Sequence, residues 1–185
     1  MGGSFSLGLK TYSLTVVGTF ESAASTPLAP VNSSLEIEAG FPVVSKREKE
    51  CVKAVADLNT GARILALCRM QREDVDACVD SGVDLMLMFV ASSDLHLKHK
   101  YRLSKAEVLR RSVEAMEYAK SRGGKFSFST EDSTRSEMKY LHSLYSSAIG
   151  LGAERIGFTD TAGCATPEGI SRIARVLTKK HKVPL

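Results

Sequence analysis

The 185-residue sequence has no apolar run approaching the roughly 18 residues that a membrane-spanning helix requires, so no helical span is expected. It also has no two cysteines at C-x-x-C spacing. The four lie at 51, 68, 78 and 164, which argues against a zinc knuckle or a thioredoxin-like motif and fits a reducing, cytoplasmic setting. Dense charge of one sign is missing too: 25 Lys and Arg stand against 21 Asp and Glu, a net +4 that is scattered along the chain. The one basic cluster, Lys179, Lys180, His181 and Lys182, reads as a solvated helix end at the negative pole of its dipole rather than a nucleic-acid patch. Before residue 35 the only acid is Glu21 and the only base Lys10. That Ser- and Thr-rich stretch lacks the arginines of a transit peptide.

What is present is an ordinary globular mixture, 43% hydrophobic and 25% charged. Residues 1–34 form an atypical leading segment, with Tyr12–Phe20 readable as one strand before Pro27 and Pro30 interrupt it. Residues 35–185 are regular, with short apolar runs alternating with amphipathic segments. Strands are expected at Leu35–Ala39, Arg63–Leu67, Val83–Val90, Lys125–Ser129 and Arg155–Thr159. Helices are expected at Lys46–Leu58, Arg72–Ser81, Lys105–Ser121, Arg135–Gly150 and Pro167–His181. Val183-Pro184-Leu185 looks like the entrance to a further strand. The run VDLMLMFV has the unbroken apolar character of a strand covered on both faces, with Met86, Leu87 and Met88 as core.

Boundary signals agree with this division. Ser104 with Glu107, and Thr134 with Glu137, read as capping boxes. Thr166-Pro167 supplies an N-cap and a first-turn proline. Gly61, Gly82, Gly123 and Gly152 fall where helices must end in a left-handed turn. Five successive strand–helix units define a parallel α/β fold, with a doubly wound sheet and a barrel both open at this point.

In a parallel barrel, ligands meet the carboxyl ends of the strands. The polar residues placed there are Glu38, Arg69, Ser92, Ser93, Ser129, Glu131, Asp160 and Thr161. Ser129 and Glu131 are two apart and face the same side if the strand reaches them. Asp132 reads as a turn or helix-entry residue and Cys164 as a small packing residue. Arg69 serves an ion pair as readily as a substrate. His96 and His99 could share a helix face, but they lack a third metal ligand nearby.

Four segments, in order, carry a family resemblance: Ile37-Glu38-Ala39-Gly40-Phe41-Pro42, Ser93-Asp94-Leu95-His96-Leu97-Lys98, Phe128-Ser129-Thr130-Glu131-Asp132-Ser133-Thr134-Arg135-Ser136, and Thr159-Asp160-Thr161-Ala162-Gly163-Cys164-Ala165-Thr166-Pro167. Together they resemble the 2-isopropylmalate, homocitrate and citramalate synthase family, which condenses acetyl-CoA with a 2-oxoacid. The resemblance selects the barrel. It implies an α/β fold that is a partial (β/α)8 TIM barrel, about five central units over residues 35–185, with the first and last strands missing or replaced. It further implies a divalent cation (Zn, Mn or Mg) as Lewis acid, acetyl-CoA as co-substrate and a homodimer, in amino-acid biosynthesis. By motif position Glu38, Glu131 and Thr161 match residues lining the oxoacid and metal site, and Ser129 a pocket position that varies with substrate. Arg69 and His96 match polar residues near the mouth.

The sequence departs from the family in three places. Residues 1–34 hold no Asp-x-Thr-Leu-Arg-Asp-Gly motif, the His-x-His motif of a seventh strand is absent, and so is a later-supplied catalytic base. No catalytic residue or metal ligand is therefore expected among the residues present, and the chain is expected to be inactive alone. Ser127, where homocitrate synthases tend to carry a base, favours an isopropylmalate-type oxoacid, with Lys125 as a possible substitute base. A non-catalytic remnant or interaction module is the competing reading. A lyase or a biotin-dependent carboxyltransferase of the same wider superfamily is a third.

Overall fold

The computed structural model describes residues 35–185, together with the backbone strands Ser4–Leu7 (β1), Lys10–Ser13 (β2) and Thr15–Val17 (β3). The regular part begins with β4 (Glu36–Gly40), α1 (Lys46–Ala56), β5 (Arg63–Arg69), α2 (Arg72–Asp80) and β6 (Leu85–Ala91). A short α3 (Asp94–His96) runs into a π-helical turn, Leu97–Tyr101, before α4 (Lys105–Ser121). Then come β7 (Phe126–Glu131), a 3-10 turn at Ser133–Arg135, α5 (Met138–Leu151), β8 (Ile156–Phe158) and α6 (Pro167–Lys180). Among the described residues no helix is long and apolar enough to cross a membrane.

Strands β4 to β8 pair in sequence order, each parallel to the last. A doubly wound sheet reverses its strand order partway; this one does not, so its helices all cover one face. Met86, Met88, Phe126 and Phe128 point to that face and pack against Met116, Leu141, Leu144 and Tyr145. Leu65, Leu67, Leu85, Leu87, Phe89, Ser129 and Glu131 take the other face, by the alternation of a strand. Leu87, expected in the core, is thus half-buried on the concave side.

The sheet is strongly curved. Arg155, at the foot of β8, places its guanidinium 2.6 Å from Glu36 on β4, although three strands separate β4 from β8. Arg63 of β5 likewise reaches Glu154 at 2.6 Å. Such pairs across the concave face are possible only if the sheet curls as a barrel wall does. At the leading edge, β3 runs antiparallel to β4, where a barrel would have a parallel first strand. At the other edge Ile156 donates its amide to Pro184 O at 3.0 Å, a single ladder bond at the expected strand entrance.

Several local expectations change. The single strand read at 12–20 divides because its parts pair differently: β2 with β1, β3 with β4. Leu14 and residues 18–20 lie outside the described residues. Thr134 does not cap α5. It sits in the 3-10 turn and donates to Asp160 Oδ1 at 2.8 Å, and α5 begins at Met138, with Glu137 at its N-cap. Ser104 and Thr166 do cap their helices, accepting from Glu107 and Gly169 amides. Gly152 has φ +104 and ends α5 with Ala153 N bonded to Ala148 O at 2.9 Å, the closing geometry that favours glycine.

His181, expected among the solvated lysines, is only 5% exposed. Helix α6 stops at Lys180, and the extended His181 turns inward, its Nε2 lying 3.0 Å from Nδ1 of His142 and its ring against Tyr145. Burial lowers the pKa of both imidazoles, with Lys180 adding to the effect at each and His142 at His181. A histidine pKa depressed on folding means the unfolded chain takes up protons more readily. Stability is therefore fully present above the unfolded value of about 6.5 and declines as pH falls through it. Thermal melts should show a midpoint falling between pH 7.5 and 5.5, with a shallower fall in a His142→Gln/His181→Gln variant.

Candidate functional site

The carboxyl ends of β5 to β8 meet around a cavity of about 330 Å³ lined by Leu67, Phe89, Ser129, Glu131, Thr159 and Thr161. Each residue arrives by strand alternation. Ser129 is in register with Phe89 on one side and Gly157 on the other, and Glu131 closes β7 opposite Ala91. Gly157 leaves room here, since a Cβ on it would lie 3.4 Å from that of Ser129. The wall is apolar at Leu67 and Phe89 and hydroxyl-bearing at Ser129, Thr159 and Thr161, with one carboxylate at the rim.

The hydroxyls are held by the chain that follows β7. Thr161 Oγ1 accepts the Asp132 amide at 2.9 Å and lies 3.2 Å from Thr159 Oγ1, which donates to Thr130 O at 2.9 Å. Beneath them, buried Thr130 and Ser133 share a hydrogen bond, and the Tyr145 hydroxyl meets Thr130 and donates to Gly157 O at 3.0 Å. Burial pushes the Tyr145 phenol up to about 12, so it remains a neutral donor. This network fixes the β7 and β8 ends relative to each other.

Of the six residues expected at the site, Ser129, Glu131 and Thr161 converge on the cavity, with Thr161 on its solvent side. His96 stands over Glu131, its Nδ1 3.7 Å from Glu131 Oε1 and 3.8 Å from Asp132 Oδ2. Glu38 pairs with Leu65 in the ladder, so it shares the concave face, but it does not line the cavity. Arg69 is an ion-pair residue. Its side chain gives Asp74 two hydrogen bonds, of 2.9 and 3.0 Å, and its guanidinium stacks on Phe41. The buried Asp74 raises the Arg69 pKa, and the side chain lines a separate pocket of about 220 Å³.

Other polar residues at the strand ends are structural. Ser92 and Ser93 are buried, the first bonding Glu131 O and the second capping α3. Asp160 accepts from the Ala165 amide and Thr134, which hold its pKa down. Cys164, expected to pack, is exposed in the loop between β8 and α6. Asp132 is the turn residue expected, in the left-handed region at φ 59, but its carboxylate is fully buried. Arg135 grips it with bonds of 2.8 and 2.9 Å, which lowers its pKa against the effect of burial.

One site residue has no counterpart in the sequence expectations. Lys100 reaches both Glu131 oxygens, at 3.0 and 2.7 Å. Its four-residue spacing from His96 is the one signal in the sequence; His99, three residues from His96, faces solvent.

These features define half of a parallel α/β barrel with a cavity at its carboxyl mouth. Residues 33–185 match the HMGL-like family model, and the chain belongs to that family. It is 43% identical over 150 residues to homocitrate synthase AksA of Methanothermobacter thermautotrophicus, covering 81% of this chain and 38% of that protein. It is 42% identical over 149 residues to 2-isopropylmalate synthase of Methanocaldococcus jannaschii, covering 80% of this chain and 29% of that one. The chain thus spans less than two fifths of these curated relatives. Among solved structures, hydroxymethylglutaryl-CoA lyase from Pseudomonas aeruginosa superposes with a TM-score of 0.63 at 18% identity, over 76% of this chain and 50% of that one. At that identity the likeness shows the fold alone.

The family resemblance implies a divalent cation. Among the described residues no group of three or more His, Cys, Asp or Glu side chains is arranged to hold one. The carboxylates of Glu131 and Asp132 are instead engaged by Lys100 and Arg135. The donors present do not fit a complete cation site.

Proposed function

We propose that this chain supplies the 2-oxoacid pocket of an enzyme that condenses acetyl-CoA with a 2-oxoacid. The observation that carries the reading is the convergence of Ser129, Glu131 and Thr161 on one cavity at the strand ends. The Ser129 and Thr161 hydroxyls suit an anionic oxoacid as donors, while that of Thr159 is spent on Thr130 O. As the carbon–carbon bond forms, the keto oxygen gains negative charge, which hydroxyl donors stabilise. Once that oxygen has taken a proton from water, it donates to a carboxylate at the rim, an interaction the substrate lacked. Glu131 is the group we assign to that acceptor role.

For the oxoacid, we favour a short aliphatic side chain of the 2-isopropylmalate type. Leu67 and Phe89 form the wall, and among the described residues no Lys or Arg side chain lines the cavity. Lys125, the substitute base considered from the sequence, lines a pocket at the opposite, amino end of the sheet. The similarity to AksA keeps homocitrate synthesis as the second reading.

Release of CoA thiol from acetyl-CoA tests both. The assay should be run on this chain and on the chain extended along its reading frame, with 2-oxoisovalerate, pyruvate and 2-oxoglutarate. Thiol release fastest with 2-oxoisovalerate is the expected result. Fastest release with 2-oxoglutarate would move the assignment to homocitrate synthesis, and no release with any oxoacid from the extended chain would defeat the condensing function.

A further inference from the structure

We propose that Lys100 is a positioning residue that holds the Glu131 carboxylate at the cavity rim against capture by His96. The proposal deepens the site reading above, and its role in turnover rests on that reading. Three observations carry it. First, Lys100 contacts both Glu131 oxygens, at 3.0 and 2.7 Å, and so fixes the carboxylate's position and plane. Second, the lysine is delivered by the π-helical turn Leu97–Tyr101, which ends on Arg102 in the left-handed region at φ 55. A π turn and a non-glycine residue at positive φ are both unfavourable locally and recur where a side chain must be aimed. Third, His96 Nδ1 is buried without a hydrogen-bond partner, although Glu131 Oε1 lies only 3.7 Å away.

A buried unpartnered nitrogen is costly, and a small swing of Glu131 would satisfy it. That the swing is not made shows which partner wins. The charged groups facing His96 are Glu131 and Asp132; Asp132 is held by Arg135, so Glu131 is the carboxylate free to move if Lys100 is lost. Lys100 also balances the Glu131 charge, so that an anionic ligand meets a neutral rim rather than a repelling one.

The test is the tautomer state of His96, read from imidazole ¹⁵N shifts in the full chain at a pH where the ring is neutral. In Lys100→Met, Glu131 should pair with Nδ1, and the Nδ1–H population should rise. Lys100→Arg should leave the wild-type state in place. In a Glu131→Gln background, Lys100→Met should produce no such rise. Lys100 is an exposed side chain, and Lys100→Gln provides a second variant with the same expected rise, each being checked by circular dichroism. An unchanged His96 in both variants, or an equal rise in the Glu131→Gln background, would overturn the proposal. In an active extended chain, Lys100→Met should lower kcat and raise KM for the oxoacid, because Glu131 loses both its fixed place at the rim and the charge that balances it. A tautomer shift without any condensing activity in wild type would leave Lys100's role intact and defeat only the functional reading.

Discussion

Replacing Phe128 by alanine is expected to cost about 3–5 kcal/mol of folding free energy. The ring is fully buried on a strand with neighbours on both sides, packed edge-on to Tyr145 at 6.0 Å. Its removal leaves a void bounded by Tyr145 and the sheet, which the stiff β7 cannot close. For a domain of this size each kcal/mol moves the melting midpoint by roughly 2–4 °C, so the expected fall is roughly 6–20 °C. Denaturant unfolding with an unchanged slope would measure it. A midpoint within a degree or two of wild type would mean that the helix-side face of β7 does not carry the core.

The next residue along should behave in the opposite way. Ser129 points into the cavity of about 330 Å³, and Ser129→Phe would fill much of it from the wall beside Gly157. Binding of 2-oxoisovalerate, followed calorimetrically, should fall below detection. The melting midpoint should stay near that of wild type, because the concave face at this level borders open space rather than packed helix. Two neighbouring substitutions, one destabilising the fold and the other closing its pocket, follow from nothing more than the alternation of side chains along a strand. If Ser129→Phe binds the oxoacid normally, the pocket has been assigned to the wrong face.

That alternation explains why much of the molecule was legible in the sequence. Five apolar runs became five parallel strands, and the caps at Ser104 and Thr166 formed as written. Ser129, Glu131 and Thr161 meet because parallel strands all finish at one end. What could not be read depended on departures from regular geometry. Helical periodicity gives no hint of a π turn, and it is the π turn at Leu97–Tyr101 that brings Lys100 to Glu131. The Thr134–Glu137 capping pattern gave way to a 3-10 turn because Thr134 is drawn to Asp160 and Arg135 returns to Asp132. His181 looked like one more base at a helix end until the chain turned it onto His142. Each of these is settled by contacts between segments distant in sequence, which local patterns do not record. The barrel curvature is of the same kind, resting on Arg155 reaching Glu36 across three strands.

The central claim is that the carboxyl ends of β5 to β8 form the ligand site. Amide chemical-shift mapping during a titration with 2-oxoisovalerate tests it most directly. The expected result is a set of shifts concentrated on Phe89, Ser129, Glu131, Thr159 and Thr161. Shifts concentrated instead on Gly61, Gly82 and Gly123, at the amino end of the same sheet, would contradict it.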